Sequence, residues 1–241
     1  SLAHVAYCIG SDSALLRQNL LLQTRGGLLS VTDRDAPFIA SPERLSAAAI
    51  RECGRRGYSG VLLDFEQSPT PDRLAFTETL ARRLAPRPVY VPESYGPLLP
   101  LAHVLICTAL SGGILQQRLE DAVRRFGSGR LALDLQPHRM DFPLPCPSGE
   151  GLSLTRESLG ALIAEKNPTV FYSSDLCARY FTCLQEKESH FILFDDGGTI
   201  TRKIQAGNAL GIPTGFLLYP EAEDLLPQLF SRQGNGSPQR S

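Results

Sequence analysis

The sequence predicts an α/β chain folded as a TIM-barrel-like (β/α) barrel, on three observations. Its 241 residues, 42% of them hydrophobic, can bury one substantial core, and single α/β barrels commonly have this length. Strand-like apolar runs alternate with helical patterns from His4 to Leu135. Such alternation demands a parallel sheet, and its persistence favours a barrel over an open sheet. The third observation is the stretch Gly60-Val61-Leu62-Leu63-Asp64-Phe65-Glu66, whose apolar run is interrupted only by two acids. A strand covered on both faces reads this way, so the stretch is expected to be a central parallel strand.

The elements follow in order. His4 to Ile9 reads as the first strand, and Ser13 to Thr24 as a helix capped by Ser11 or Asp12. Gly27 to Thr32 gives a second strand, and the polar loop Asp33-Arg34-Asp35-Ala36-Pro37-Phe38 follows it, where binding loops are common. Ser41-Pro42-Glu43 opens a helix that Gly57 stops. Beyond the acidic strand, Asp72 to Leu84 forms an amphipathic helix with Leu74, Phe76, Leu80 and Leu84 inward. Strands follow at Pro88 to Pro92, His103 to Leu110 and Gly129 to Leu135, with a helix from Ile114 to Phe126.

The rhythm then changes. Residues 142–152 read as a proline-rich loop, Leu154 to Lys166 as a helix, and Thr169 to Tyr172, Arg179 to Leu184 and His190 to Phe194 as β-structure with a hairpin turn near Gln185 to Ser189. This segment, 142–196, is expected to be a rim insertion before the last strand. A helix from Thr199 to Leu210, a closing strand from Pro213 to Tyr219 and a segment from Glu221 to Phe230 expected to cap the barrel complete one domain spanning 1–230. Residues 231–241 are rich in Gly, Ser and Gln and read as a disordered tail.

Charge narrows the partners. With 24 basic and 25 acidic residues the formal net charge is −1, so no global field draws nucleic acid or an anionic membrane. No apolar run reaches the roughly 18 residues of a membrane span, and the N-terminus lacks a signal-peptide pattern. The six cysteines are scattered without a C-x-x-C pair, which points to buried free thiols rather than zinc. No metal or other cofactor is implied, and the compartment is left open.

The chemistry is expected at strand ends. Asp64 and Glu66 are two apart, so a strand places both carboxylates on one face, with Phe65 on the other. In parallel α/β folds ligands bind at the C-terminal ends of strands, which is where this pair falls. A strand simply leaving the core for water would read the same way. Glu93, Asp134 and Gln136 also sit at strand ends and either line the same pocket or solvate the rim. Tyr95, Phe142, Tyr172 and Tyr219 are candidates for stacking on sugar rings, or else core residues. His138 has no recognisable Ser or Cys nucleophile nearby, and His4, His103 and His190 read as structural. Asp195-Asp196 is expected to cap the following helix.

Gly57 to Glu66 resembles the D-G-x-D-x-D-x-E signature of the family 18 glycoside hydrolases, chitinase-like TIM barrels. Arg130 to Phe142 resembles the L-G-x-P-x-Y-G-x-D-W stretch of that family through Asp141 and Phe142. His190-Phe191-Ile192-Leu193-Phe194-Asp195-Asp196, the helix bearing Lys203, and Gly211-Ile212-Pro213-Thr214-Gly215 look like the branch that trims bacterial spore-cortex fragments.

Residue by residue, the resemblance places the family's general acid on Glu66 and its supporting acid on Asp64. It implies substrate-assisted hydrolysis, an exception to the two-carboxylate scheme: the sugar's acetamido oxygen attacks, Glu66 protonates the leaving oxygen and Asp64 orients the acetamide. Substrate contacts would come from Glu93, Tyr95, Gln136 and Tyr219, the last standing where the family has Trp. This chain has no Trp. The signature's outer acids fall on Ser59 and Leu62, and the M-x-Y-D strand end falls on Cys107-Thr108-Ala109-Leu110, so the acetamide-holding Tyr and Asp are lost.

The implied substrates are N-acetylhexosamine polymers such as chitin or peptidoglycan fragments, with a cell-envelope or spore association. The implied alternative is an impaired relative that binds carbohydrate or serves as a scaffold. Only two strands precede the acidic one where the family has three. A barrel lacking its first strand, with about seven main strands, is therefore expected, its seam covered by the C-terminal segment, the hairpin or a second subunit.

Overall fold

The computed structural model describes residues 3–18 and 26–230, so the expected tail at 231–241 and the end of the expected first helix lie outside the described residues. The elements in chain order are β1 (Ala3–Ile9), β2 (Leu15–Arg17), β3 (Leu28–Thr32), α1 (Pro42–Arg56), β4 (Gly60–Asp64), α2 (Pro71–Leu84), β5 (Val89–Pro92), β6 (His103–Cys107), α3 (Leu115–Phe126) and β7 (Leu131–Asp134). They continue as β8 (Arg139–Leu144), β9 (Leu152–Ser153), α4 (Arg156–Lys166), β10 (Phe171–Ser173), β11 (Ala178–Gln185), β12 (Glu188–Phe194), α5 (Gly197–Ala209), β13 (Gly215–Phe216), α6 (Tyr219–Ala222) and α7 (Leu226–Phe230).

Two compact units emerge: unit 1 comprises Ser1–Ile106 with Ala122–Ala132, and unit 2 comprises Cys107–Asp121 with Leu133–Ser241. The main sheet has eight strands in the order β13-β7-β6-β5-β4-β3-β1-β2, and β7 contributes its first half to unit 1 and its second half to unit 2. Only β2 is antiparallel to its neighbour among the registers resolved, which leaves seven strands in the main series, as the TIM-barrel-like expectation required.

In unit 1, alternate residues of the parallel strands pack on α1 and α2: Leu29, Val31, Val61, Leu63, Val89 and Val91 meet Leu45, Ala49, Phe76 and Leu80 in one cluster of residues under 2% exposed. Burying such side chains stabilises by about 1.5–3 kcal/mol each. Gly57 ends α1 at φ 68°, ψ 32°, the left-handed cap that the sequence predicted. Gly60 opens β4 where a Cβ would lie 2.6 Å from the Pro88 carbonyl, so only glycine lets β4 and the β5 approach come together.

One element is corrected. The stretch read as a helix from Ser13 instead turns back at Ser13 (φ 59°) and runs antiparallel to β1 as β2, pairing Tyr7 with Arg17 and Ile9 with Leu15. An apolar run this short suits either state, and the unpaired edge of β1 supplies hydrogen bonds that an isolated helix would not meet. The edge of β1 left by the missing first strand is paired with β2, which becomes the edge strand of the sheet.

In unit 2, β10-β11-β12-β8-β9 form a second, five-stranded antiparallel sheet. The hairpin β11–β12 turns through Glu186 and Lys187, both at positive φ. The sequence located the hairpin but read residues 142–152 as loop, because prolines argue against a strand; Pro143 nevertheless lies within β8 opposite His190 of β12, and β9 pairs only with Met140 and Asp141. One face of this sheet packs Phe181, Ile192 and Phe194 against Leu159 and Leu162 of α4. Asp196 caps α5 in a reciprocal box with Thr199, as expected for this acidic pair. All six cysteines are free, with Cys8, Cys53 and Cys177 buried. No helix among the described residues is long and apolar enough to cross a membrane.

Candidate functional site

Unit 1 carries the acid pair. Val61, Leu63 and Phe65 are buried, and Phe65 packs its ring against Phe76 and Tyr95 at centroid distances of 6.2 and 5.7 Å. The alternate residues follow the opposite face outward: Leu62 is half-buried, Asp64 and Glu66 are exposed. β4 is therefore central in the sheet but covered fully on one face only, and the two carboxylates emerge together at its C-terminal end. Crowding around Asp64 withholds water from its carboxylate and raises its pKa; the charge of Glu66 adds to this and Arg34 opposes it.

Glu66 is not idle. Arg34, on the loop after β3, donates from Nε at 2.9 Å and from Nη2 at 2.7 Å, both to Oε1. A Glu66 that gives a proton to a leaving oxygen must do so from Oε2 or after Arg34 withdraws. Its backbone is held from below, where the Glu66 N–H donates to Asp33 Oδ1 at 2.8 Å. Asp33 is fully buried and its other oxygen takes Arg73 Nε at 2.7 Å. Arg73, 1% exposed, also donates to the Ala36 carbonyl at 2.6 Å and to Thr70 Oγ1 at 3.1 Å. One guanidinium thereby ties the β3–α1 loop, the start of α2 and the Glu66 segment together. Sequence reasoning missed Arg73, because a charged residue in a helix's first turn ordinarily faces water.

The other expected residues divide. Glu93 is half-buried at the end of β5 in unit 1. Tyr95 is corrected: it is 0% exposed, packed in the core at a tilt against Phe65 with its hydroxyl donating to the Gln67 carbonyl at 2.8 Å, and cannot stack on a sugar. Ser59, where the signature's first acid would stand, donates its hydroxyl to the Gly27 carbonyl at 2.9 Å and has become a strand-to-strand tie.

Gln136 and Tyr219 belong to unit 2, where Gln136 lines a cavity of about 410 Å³ with Ala109, His138, Arg139, Thr155 and Arg156 among its walls. Tyr219 starts α6, is 55% exposed and donates to Glu223 at 2.8 Å; its neighbours Pro220 and Glu221 reach the cavity. Phe142 is 8% exposed and belongs to the core of the five-stranded sheet. His190 is not isolated: its Nδ1 lies 2.8 Å from Asp141 Oδ1. His138, discounted from sequence, lines the cavity, and burial lowers its pKa, with Lys203 acting in the same direction and Asp195 opposing.

The parallel strand series with its connecting helices and the second sheet define a TIM-barrel-like α/β fold, and solved structures share it. The chain is similar to ydhD of Bacillus subtilis, described as a sporulation-specific glycosylase, at TM-score 0.67 and 16% identity over 88% of each chain. It is similar to a chitinase of Chromobacterium violaceum at TM-score 0.67 and 18% identity, over 94% of this chain and 89% of that one. It is also similar to the spore cortex-lytic enzyme SleL of Bacillus cereus at TM-score 0.64 and 17% identity, over 95% of this chain and 67% of that one. No protein-family model and no curated protein sequence matches the chain.

Proposed function

We propose that this chain is a glycoside hydrolase acting on N-acetylhexosamine-containing polysaccharide, chitin or peptidoglycan fragments, with Glu66 as general acid and Asp64 as its partner. The observation that carries the reading is the emergence of both carboxylates, side by side and open to solvent, from the C-terminal end of a central parallel strand in a fold similar to chitinases and a spore cortex-lytic enzyme. Substrate-assisted retaining hydrolysis needs only one proton donor, since the nucleophile is the sugar's own acetamido oxygen. Asp64, on the same face of β4 as Glu66, suits the orienting role beside the acetamide. Glu93 in unit 1 and Gln136 and Tyr219 in unit 2 are proposed as further substrate contacts.

A second reading, a carbohydrate-binding relative without turnover, is favoured by the double Arg34 bond on Glu66 and by Leu62 and Ala109 in place of polar residues. Hydrolysis of N-acetylglucosamine oligomers and of muropeptide fragments separates them. The wild type is expected to turn over at least one, and Glu66→Gln to lose about 10²–10⁴-fold in rate. Equal rates for the two proteins would remove Glu66 from the chemistry, and binding of oligomers without turnover by the wild type would select the second reading.

A further inference from the structure

We propose that one end of unit 1 docks on an anionic phospholipid bilayer, with an apolar turn at residues 98–101 entering the headgroup region and arginines at the helix ends meeting lipid phosphates. The docking goes beyond the glycosidase reading and does not depend on Glu66. The net charge of −1 conceals a segregation. A helix that joins two parallel strands runs back along the sheet, so α1, α2 and α3 all end beside the N-terminal ends of the strands that follow them. Their last turns carry Arg55 and Arg56, Arg82 and Arg83, and Arg124 and Arg125. Arg87, on the loop before β5, adds a charge that belongs to no helix. The opposite end of the unit, where β4 and β5 finish, carries Asp64, Glu66 and Glu93. A planar negative surface therefore attracts one end and repels the other.

Arginine in a last turn also offsets the helix dipole, and Arg55 and Arg82 are already paired with Glu52 and Glu78. The charge left for a partner is that of Arg83, Arg87 and Arg125, all exposed. What singles out this end is the apolar turn set among them. The segment 96–102, between β5 and β6, has no charged residue. The Ala102 N–H donates to the Leu99 carbonyl at 3.1 Å, which closes a turn with Pro100 and Leu101 at its tip. Leu98 is 54% and Leu101 59% exposed, and Pro97 and Pro100 are exposed beside them.

The turn is held in place beside the arginines. Arg130, which follows α3, donates to the carbonyls of Leu99 at 2.9 Å, Ala102 at 3.0 Å and Gly96 at 3.4 Å. Its guanidinium and that of Arg125 both lie over the Phe126 ring, at 5.9 and 5.0 Å from the centroid. The same ring closes on Gly96, where a Cβ would come within 2.9 Å of it. The leucine turn and the arginine-bearing end of α3 are thus one assembly. Apolar side chains rimmed by cations suit the boundary between acyl chains and lipid phosphates, whereas a soluble polyanion would use the arginines and leave the leucines in water. Docked in this way, the unit keeps Asp64 and Glu66 at the far end of β4 from the lipid.

Sedimentation of the full chain with vesicles of phosphatidylglycerol and phosphatidylcholine in equal parts, and with vesicles of phosphatidylcholine alone, tests the docking. The mixed vesicles are expected to bind about tenfold or more tighter at low salt, and the difference to shrink as salt rises. Arg83→Gln with Arg87→Gln is expected to lose about 20-fold of that affinity, since one arginine near an anionic surface is worth about fivefold. Leu98→Ser with Leu101→Ser is expected to lose about tenfold. All four side chains are exposed, so both variants are expected to keep the wild-type melting curve. Arg44→Gln removes the same charge from the start of α1, at the opposite end, and is expected to bind as the wild type does. Equal binding of the two vesicle types, no binding of either, binding indifferent to salt, or an Arg44→Gln loss as large as that of the arginine pair would each overturn the docking. A leucine variant that binds as tightly as the wild type would overturn the bilayer as partner and select a soluble polyanion.

Discussion

Unit 1 and unit 2 each contain a carboxylate buried completely against a cation, and in each the same carboxylate holds the backbone of a residue at a candidate site. Asp33 takes Arg73 on one oxygen and the Glu66 N–H on the other. Asp195 takes both Lys203 and the His138 N–H on Oδ2, and Thr199 Oγ1 on Oδ1. The cations differ. Arg73 spreads its fork over Asp33, Ala36, Pro37 and Thr70, so it links segments some forty residues apart. Lys203 is a point charge one helical turn from Thr199 on α5, and its pairing with Asp195 spans eight residues. The first arrangement makes long-range structure depend on one side chain; the second is largely a helix-end device that fixes one strand residue.

That contrast sets the order of expected effects. Arg73→Met leaves the buried Asp33 carboxylate with one donor among those described, the Glu66 backbone N–H, and frees the loop that carries Arg34. A loss of about 3–5 kcal/mol is expected on denaturant unfolding, at the upper end of the range for breaking a buried pair. Lys203→Met leaves Asp195 with two donors, Thr199 Oγ1 and the His138 N–H. A loss nearer about 3 kcal/mol is expected there, and Lys203→Met with Asp195→Asn should recover part of it. A Lys203→Met loss equal to or above that of Arg73→Met would break the comparison.

Neither pair was legible in the sequence. Asp33 stood in a loop read as a binding loop, and Arg73 in a helix read by its apolar positions; nothing in one chain of letters says that a polar residue on a helix's first turn points into a loop forty residues away. The fold was legible where local signals agreed: Pro42 and Gly57 bound α1, the apolar run Val61 to Leu63 marked β4, and the hairpin was visible in the β-rich stretches on either side of Gln185 to Ser189. It failed at β2, where pairing with an open edge overrode a helical pattern, and at β8, where prolines argued against a strand. Of the site, Asp64 and Glu66 were readable because strand geometry fixes which face they share. Tyr95 was not, because a tyrosine at a strand end serves a rim and a core equally well until Phe65 and the Gln67 carbonyl claim it.

A smaller effect tests the environment of the acid pair. Asp64 has its folded pKa raised above the ordinary 3.8, with desolvation as the main cause. The folded state therefore holds the proton more tightly than the unfolded state, and stability falls as pH rises from about the ordinary value through the folded one. Asp64→Asn is expected to flatten the pH dependence of denaturation midpoints in that window and to be favoured relative to wild type above it. If the two proteins keep parallel profiles, crowding does not act on Asp64 as the geometry indicates.

The smallest effects separate α1 and α2 of unit 1 from α4 and α5 of unit 2, at their helix starts. In unit 1, α1 and α2 begin with proline in the first turn and their cap residues, Ser41 and Thr70, make no side-chain cap bond. In unit 2, Thr155 accepts from the Ser158 N–H at 3.1 Å and Asp196 from the Thr199 N–H at 2.7 Å. Proline satisfies a helix start by lacking an N–H and presetting φ, which leaves a hydroxyl at the cap with little to add. Thr155→Ala and Asp196→Ala are accordingly expected to cost about 1 kcal/mol each, Asp196 somewhat more because Arg179 Nε also donates to it at 2.9 Å. Ser41→Ala is expected to stay within about 0.5 kcal/mol of wild type. Thermal unfolding of the three variants reads this directly: a Ser41→Ala loss as large as that of Thr155→Ala would mean that the hydroxyl caps α1 after all and that the two units do not start their helices differently.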